Sequence, residues 1–170
     1  MTWRHIVEAT ALARETARRA AVDVQLRVRE TKPNQGKRIK DYQDTVGIKP
    51  GQPYCIAAIC CWIKEACREL YEQHQILFSP SALRFLEYAR KTGHAMMPSE
   101  LGPEHLPCIG IIDHGKGRGH AFLIIGLNDD GSLSTIDANS NEAGVRDGQG
   151  VVALQGRHNI TDLAGVVRIA

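Results

Sequence analysis

At 170 residues and 18.7 kDa the chain has room for one compact domain. Its hydrophobic content of 43% and charged content of 24% are ordinary for a globular protein. No apolar run approaches the roughly 18 residues of a membrane-spanning helix. The formal net charge of +2 excludes a uniformly basic nucleic-acid binder, and five cysteines, an odd and sparse number, argue against a disulfide scaffold. Charge is unevenly spread: residues 1–40 carry ten Lys/Arg against four Asp/Glu, whereas the rest of the chain is net negative.

The segment 1–30 reads as one or two helices. Ala, Arg and Glu dominate it, and Ile6, Val7, Leu12, Val22, Val24 and Leu26 make an imperfect apolar stripe. Arg4, Arg14, Arg18 and Arg19 leave no uninterrupted apolar core for an export signal, so synthesis in the cytoplasm without a signal peptide is expected. Lys32 to Gly36 is a turn. Ile39, Tyr42 and Val46 lie at helical spacing, with Gly47 placed to close a short helix. After the punctuation Lys49-Pro50-Gly51-Gln52-Pro53 comes the most apolar helix candidate, Tyr54 to Leu70. Another helix is expected from Ser81 to Lys91, with Ser79 and Pro80 at its start.

From Leu106 onward the pattern changes to short Ile/Val/Leu-rich runs between Gly, Asn and Asp clusters. Strands are expected at Cys108–Ile112, His120–Leu127, Leu133–Ala138, Gly150–Leu154 and Leu163–Ile169, with a hairpin turn at Asn128 to Gly131. Helices followed by an antiparallel sheet indicate an α+β fold. One domain spanning residues 1–170 is expected, with a helical segment 1–30 before a core of 31–170.

Cys55 opens the apolar helix, where free backbone N–H groups and the helix dipole favour a thiolate. A thiolate is the nucleophile that acyl transfer needs. His120 begins a strand after the glycine-rich Gly115 to Gly119, and Asp137 and Asn139 end the next strand. If those strands pair, a carboxylate or amide holds one nitrogen of His120 and leaves the other for Cys55. Cys60 and Cys67 read as packing residues, and Cys61 and Cys108 have no assigned role. There is no Cys-x-x-Cys pair, so no metal is expected. His114 is a loop residue near the candidate cleft. His5, His74, His94, His105 and His158 show no partner spacing, and Arg146, Asp147 and Gly148 are candidates for a substrate wall. Gly115 to Gly119 lacks the ending of a phosphate-binding loop.

These residues, in this order, resemble the papain-like cysteine hydrolases of the CHAP and NlpC/P60 group, which cut peptidoglycan. The similarity rests on Arg29-Glu30-Thr31, Asn34-x-Gly36, Tyr42, Gly47, Gly51-Gln52-Pro53-Tyr54-Cys55, Gly119-His120 and Thr135-Ile136-Asp137-Ala138-Asn139-Ser140-Asn141, over roughly residues 18–169. The resemblance implies a papain-like fold with Cys55 as nucleophile, His120 as general base, and Asp137 or Asn139 as the orienting residue. Gln52 and Tyr54 are implied as oxyanion or substrate residues, Tyr54 standing where the family often has Trp. No cofactor is implied, and no calcium-binding run is present. The implied substrate is a peptidoglycan amide, cut by an amidase or endopeptidase that acts on the wall after release or delivery. A phage lysin or an interbacterial toxin fits such a chain, with an immunity protein or a phage or secretion component as partner. A monomer without nucleic-acid partners is expected. The alternatives are a cysteine amidase or deamidase acting on a non-wall amide, and a binding domain that kept the fold without catalysis.

Overall fold

The computed structural model describes residues 9–140 and 149–170. Among these residues the chain forms four α-helices followed by a six-stranded antiparallel sheet, the α+β arrangement expected from the order of helical and strand-like runs. Ile6, Val7 and His5 lie outside the described residues, as do Arg146, Asp147 and Gly148.

Helix α1 (Ala11–Gln25) starts at Thr10, whose hydroxyl accepts from Ala13 N–H and donates to the Ile169 carbonyl at the far end of the chain. Its inner face differs from the expected apolar stripe. Leu12, Ala13, Thr16, Ala20 and Asp23 are buried, whereas Leu26 is 70% exposed. The reason is Asp23. Its carboxylate accepts from Arg38 on α2 (Lys37–Val46), from the Tyr42 hydroxyl at 2.7 Å and from the Trp62 indole at 2.7 Å on α3 (Cys55–Leu70). Arg38 in turn grips Glu65 of α3 at 2.6 and 2.8 Å. A buried carboxylate is tolerated here because its lone pairs are filled and its charge is matched. The network ties the first three helices together.

Helix α2 ends at Gly47, whose φ of 71° supplies the left-handed closure. Helix α3 is almost wholly enclosed: Ile56, Ile59, Cys60, Trp62, Ile63 and Ala66 join the main core. Helix α4 (Ala82–Lys91) is capped by Ser81, whose hydroxyl accepts from Arg84 N–H; Ser79 and Pro80, the expected start, precede it.

The strands are β1 (Ala95–Met96), β2 (Cys108–Asp113), β3 (Gly119–Leu127), β4 (Ser132–Ser140), β5 (Gly150–Asn159) and β6 (Gly165–Val167), in the order β1-β6-β2-β3-β4-β5. The turn at Asn128 to Gly131 closes the β3–β4 hairpin. Alternation along β3 sends Ala121 and Leu123 into the main core with α3, and Phe122 and Ile124 into a second cluster with Leu101, Cys108, Leu133 and Val166. Apolar side chains on both faces explain why the strands read as continuous apolar runs. Two features escaped the pattern. The two-residue β1 is too short to show a period, and β5 continues past Leu154 through an irregularity. Ser134 pairs with Gln155 but Leu133 with His158, which leaves Gly156 and Arg157 as extra residues.

Removing the Asp23 carboxylate takes from Arg38 one of its carboxylate partners and leaves the buried Tyr42 hydroxyl and Trp62 indole without their acceptor. Asp23→Ala is expected to cost about 3–5 kcal/mol of stability in urea unfolding. A loss under about 1 kcal/mol would contradict the assignment of this network as the clamp between helices.

Candidate active site

The loop that leads into α3 is held from behind. Buried Gln43 donates through Nε2 to the carbonyls of Asn34 and Gln52, both at 2.9 Å. Glu30 accepts from the Asn34 N–H and from the Tyr54 hydroxyl at 3.1 Å. Tyr54 is fully buried and stacks on Tyr42, with ring centroids 5.9 Å apart. It therefore anchors the helix start and cannot touch a substrate, which corrects its expected role as a substrate or oxyanion residue. Gln52, by contrast, is exposed and lines a cleft of about 330 Å³ with Pro53, Cys55, Ser81 and Arg118.

Cys55 is the first residue of α3, and no side chain caps the helix there. The N–H groups of the first turn thus have no intrahelical partner. Cys55 is 6% exposed and lines the cleft. Burial raises its pKa, but His120 and the backbone of Ala121 and Ile56 outweigh burial and bring it below the ordinary thiol value. The remaining cysteines behave oppositely. Burial pushes Cys60 and Cys108 up to about 12 and Cys61 up to about 11, and it also raises Cys67. All five are free.

His120, at the head of β3, is buried. Its Nε2 lies 2.9 Å from Asp137 Oδ2. An ionised carboxylate only accepts, so Nε2 carries the hydrogen, and the neutral ring keeps its lone pair on Nδ1. Nδ1 is buried and has no hydrogen bond of regular geometry, while the thiol of Cys55 is close enough to interact with the ring. Burial lowers the imidazole pKa, but Asp137 and Cys55 reverse this and raise it to about 9. Burial raises the Asp137 carboxyl as well, and the two histidines that donate to it bring it down to about 2.

The register explains the meeting. Phe122 on β3 pairs with Asp137 on β4, so His120, two residues back, shares a face with that carboxylate. Asn139, the other candidate for orienting the ring, does not do so. It is buried with φ of 56°, and neither of its amide atoms has a hydrogen-bond partner.

A second histidine joins the cluster unannounced by the sequence. His158 on β5 brings its Nε2 within 2.9 Å of the same Asp137 Oδ2, while Thr135 donates to Oδ1. Its ring stacks on Phe122 at 4.2 Å and an interplanar angle of 4°. Its signal lay hidden because Gly156-Arg157 resembles a turn, which removed His158 from the strand period. His120, Asp137 and His158 also place three potential ligand atoms within 4.8 Å of one another, a grouping that a metal ion can use and that the absence of a Cys-x-x-Cys pair does not exclude. Of the other histidines, His114 lies on the loop before β3; His74 stacks on Phe78 and His105 accepts from Gly102 N–H, both away from the cleft.

No described helix is long and apolar enough to cross a membrane. In comparisons with family models, curated proteins and solved structures, nothing matches this chain.

Two outcomes follow from these shifts. Near neutral pH, iodoacetamide should label Cys55 well ahead of the other cysteines, read by peptide mass spectrometry. Equal labelling of Cys55 and Cys67 would contradict the pairing with His120. Because the Asp137 pKa is depressed, its contribution to folding is complete above the ordinary carboxylate value of 3.8 and is lost as pH falls through about 2. The stability gap between the wild type and Asp137→Asn in urea unfolding should therefore be steady near pH 5, below the His120 titration of both folded and unfolded chains, and narrow below about pH 4. A gap that fails to narrow in acid would contradict the ionised state assigned to this residue.

Proposed function

We propose that the protein is a papain-like cysteine hydrolase of the CHAP and NlpC/P60 type that cleaves an amide bond in bacterial peptidoglycan. One observation carries the reading: a depressed-pKa cysteine at an uncapped helix start, lining a cleft, beside a histidine whose far nitrogen is held by a buried carboxylate. That combination supplies a nucleophile, a proton carrier and an orienting acceptor from separate elements of the chain. The peptidoglycan substrate comes from the sequence resemblance.

In the mechanism, the Cys55 proton passes to His120 Nδ1, giving a thiolate and an imidazolium. The raised histidine and lowered cysteine pKa values favour this transfer before substrate arrives. The thiolate adds to the amide carbonyl carbon. The oxyanion is received by the Cys55 N–H at the helix start and by the exposed Gln52 side chain. Collapse breaks the C–N bond as Nδ1 returns its proton to the leaving amine. His120 then takes a proton from water, whose oxygen attacks the thioester and releases the acid and the free thiol.

Digestion of purified peptidoglycan followed by mass spectrometry tests this. New amino termini on stem peptides identify an endopeptidase, and free lactyl ends identify an amidase. Cys55→Ala should lose at least about a thousandfold in cleavage rate while keeping its unfolding midpoint. Cleavage by Cys55→Ala at the wild-type rate would contradict the assignment, and the absence of any product from the wild type would contradict the substrate.

A further inference from the structure

We propose that His158 is a positioning residue of this site, a second imidazole donor that holds Asp137 so that His120 is kept in the orientation and tautomer that serve Cys55. The inference rests on the Cys55–His120 reading above and extends it by one residue.

Packing alone does not require the geometry around Asp137. Both imidazoles aim Nε2 at one oxygen of one carboxylate, each at 2.9 Å, and Thr135 occupies the other oxygen. Asp137 is fully buried, so water cannot fill its lone pairs, and each protein donor is correspondingly strong. Thr135 on Oδ1 and His120 on Oδ2 already give each oxygen one donor, but Oδ2, the oxygen that orients the His120 ring, would then be held from the β3 side only. His158 reaches that same oxygen from β5, on the other side of β4, so Oδ2 is held from both sides.

The chain has also made specific provision for this ring. The two extra residues Gly156 and Arg157 interrupt β5, and Gly156 has φ of 64°, a conformation that favours glycine. Past this bulge His158 returns to the face occupied by Asp137. Its plane is fixed by the stack on Phe122. Phe122 in turn lies opposite Gly110 on β2, where a Cβ would come within 2.6 Å of the phenyl ring. The absent side chain at Gly110, the Phe122 ring, the His158 ring, the Asp137 carboxylate and the His120 ring thus form one contiguous chain that leads to the Cys55 thiol.

The titratable groups around the reactive pair are Cys55 from α3, His120 from β3, Asp137 from β4 and His158 from β5. Arg118, on the loop before β3, lines the cleft wall. Loosening Asp137 withdraws its charge from the imidazolium, so the thiolate that the imidazolium stabilises becomes harder to form. The effect should therefore appear in the acidic part of the Cys55 reactivity profile and vanish where the thiol is ionised in any case.

Two substitutions separate the donor from the ring. His158→Phe keeps a ring to stack on Phe122 but has no N–H, and His158→Gln keeps an N–H donor without the ring. Measured against pH, the rate of Cys55 alkylation by iodoacetamide needs no knowledge of the substrate. His158→Phe should be slower than the wild type by about tenfold near pH 6 and equal to it near pH 10, with His158→Gln within about threefold throughout. A His158→Phe profile that superimposes on the wild type would overturn the proposal. So would equal losses in both variants, which would mark the ring as a packing element only. Tight one-to-one binding of Zn²⁺ or Co²⁺ by the wild type, lost in His158→Phe, would also overturn it, because the cluster would then be a metal centre. Should the variants not fold, ring nitrogen-15 shifts of the wild type decide the matter. A hydrogen on Nε2 of His158 is expected, and the Nδ1–H tautomer would overturn the clamp. If wild-type Cys55 is itself unreactive at pH 6, the hydrolase reading fails, and the His158 tautomer still reports on the clamp separately.

Discussion

The Asp137 carboxylate sits on the next-to-last strand of the sheet, between β3 and β5, closed off from solvent, with donors on both of its oxygens. A charge in that position is expensive unless it is fully hydrogen-bonded, and the groups that satisfy it are the ones that define the site. His120 comes from the neighbouring strand on one side, His158 from the strand on the other, and Thr135 from two residues earlier on the same strand. Satisfying one buried charge therefore fixes the imidazole that faces the thiol. The thiol is fixed independently, by a helix whose start is tied down through Tyr54, Glu30 and Gln43. A helix-borne thiol and a sheet-borne imidazole meet there, each held by its own supports.

The same logic operates a second time among the helices. Asp23 is another buried carboxylate, satisfied by Arg38, Tyr42 and Trp62, and it makes a joint between helices rather than a reactive centre. The difference lies in the partners. Arg38 has a permanent charge, and the phenol and indole hold their protons at neutral pH, so nothing in that network exchanges a proton readily. Around Asp137 the donors are imidazoles, which do.

The helices and five of the six strands could be read from hydrophobic period and turn chemistry, because both are local properties of the chain. Cys55, His120 and Asp137 could be picked out because a helix start, a strand start and a hairpin register are also nearly local. What could not be read depended on neighbours distant in sequence. The burial of Asp23 in place of Leu26 requires Arg38 and Glu65 to be nearby. The burial of Tyr54 follows from its hydroxyl meeting Glu30, 24 residues earlier. The choice between Asp137 and Asn139 turned on a left-handed residue that ends the regular run of β4, which no composition rule reveals. His158 was concealed by a bulge whose Gly-Arg pair reads as a turn.

The central claim is that Asp137 and Cys55 together hold His120 in its protonated form well above the ordinary imidazole range. Following the nitrogen-15 shifts of the His120 ring from acid to alkaline pH tests this most directly. The account predicts a single titration near about 9, with Nε2 remaining protonated after the ring becomes neutral. Titration near the unperturbed value of 6.5, or loss of the proton from Nε2 instead of Nδ1, would contradict it.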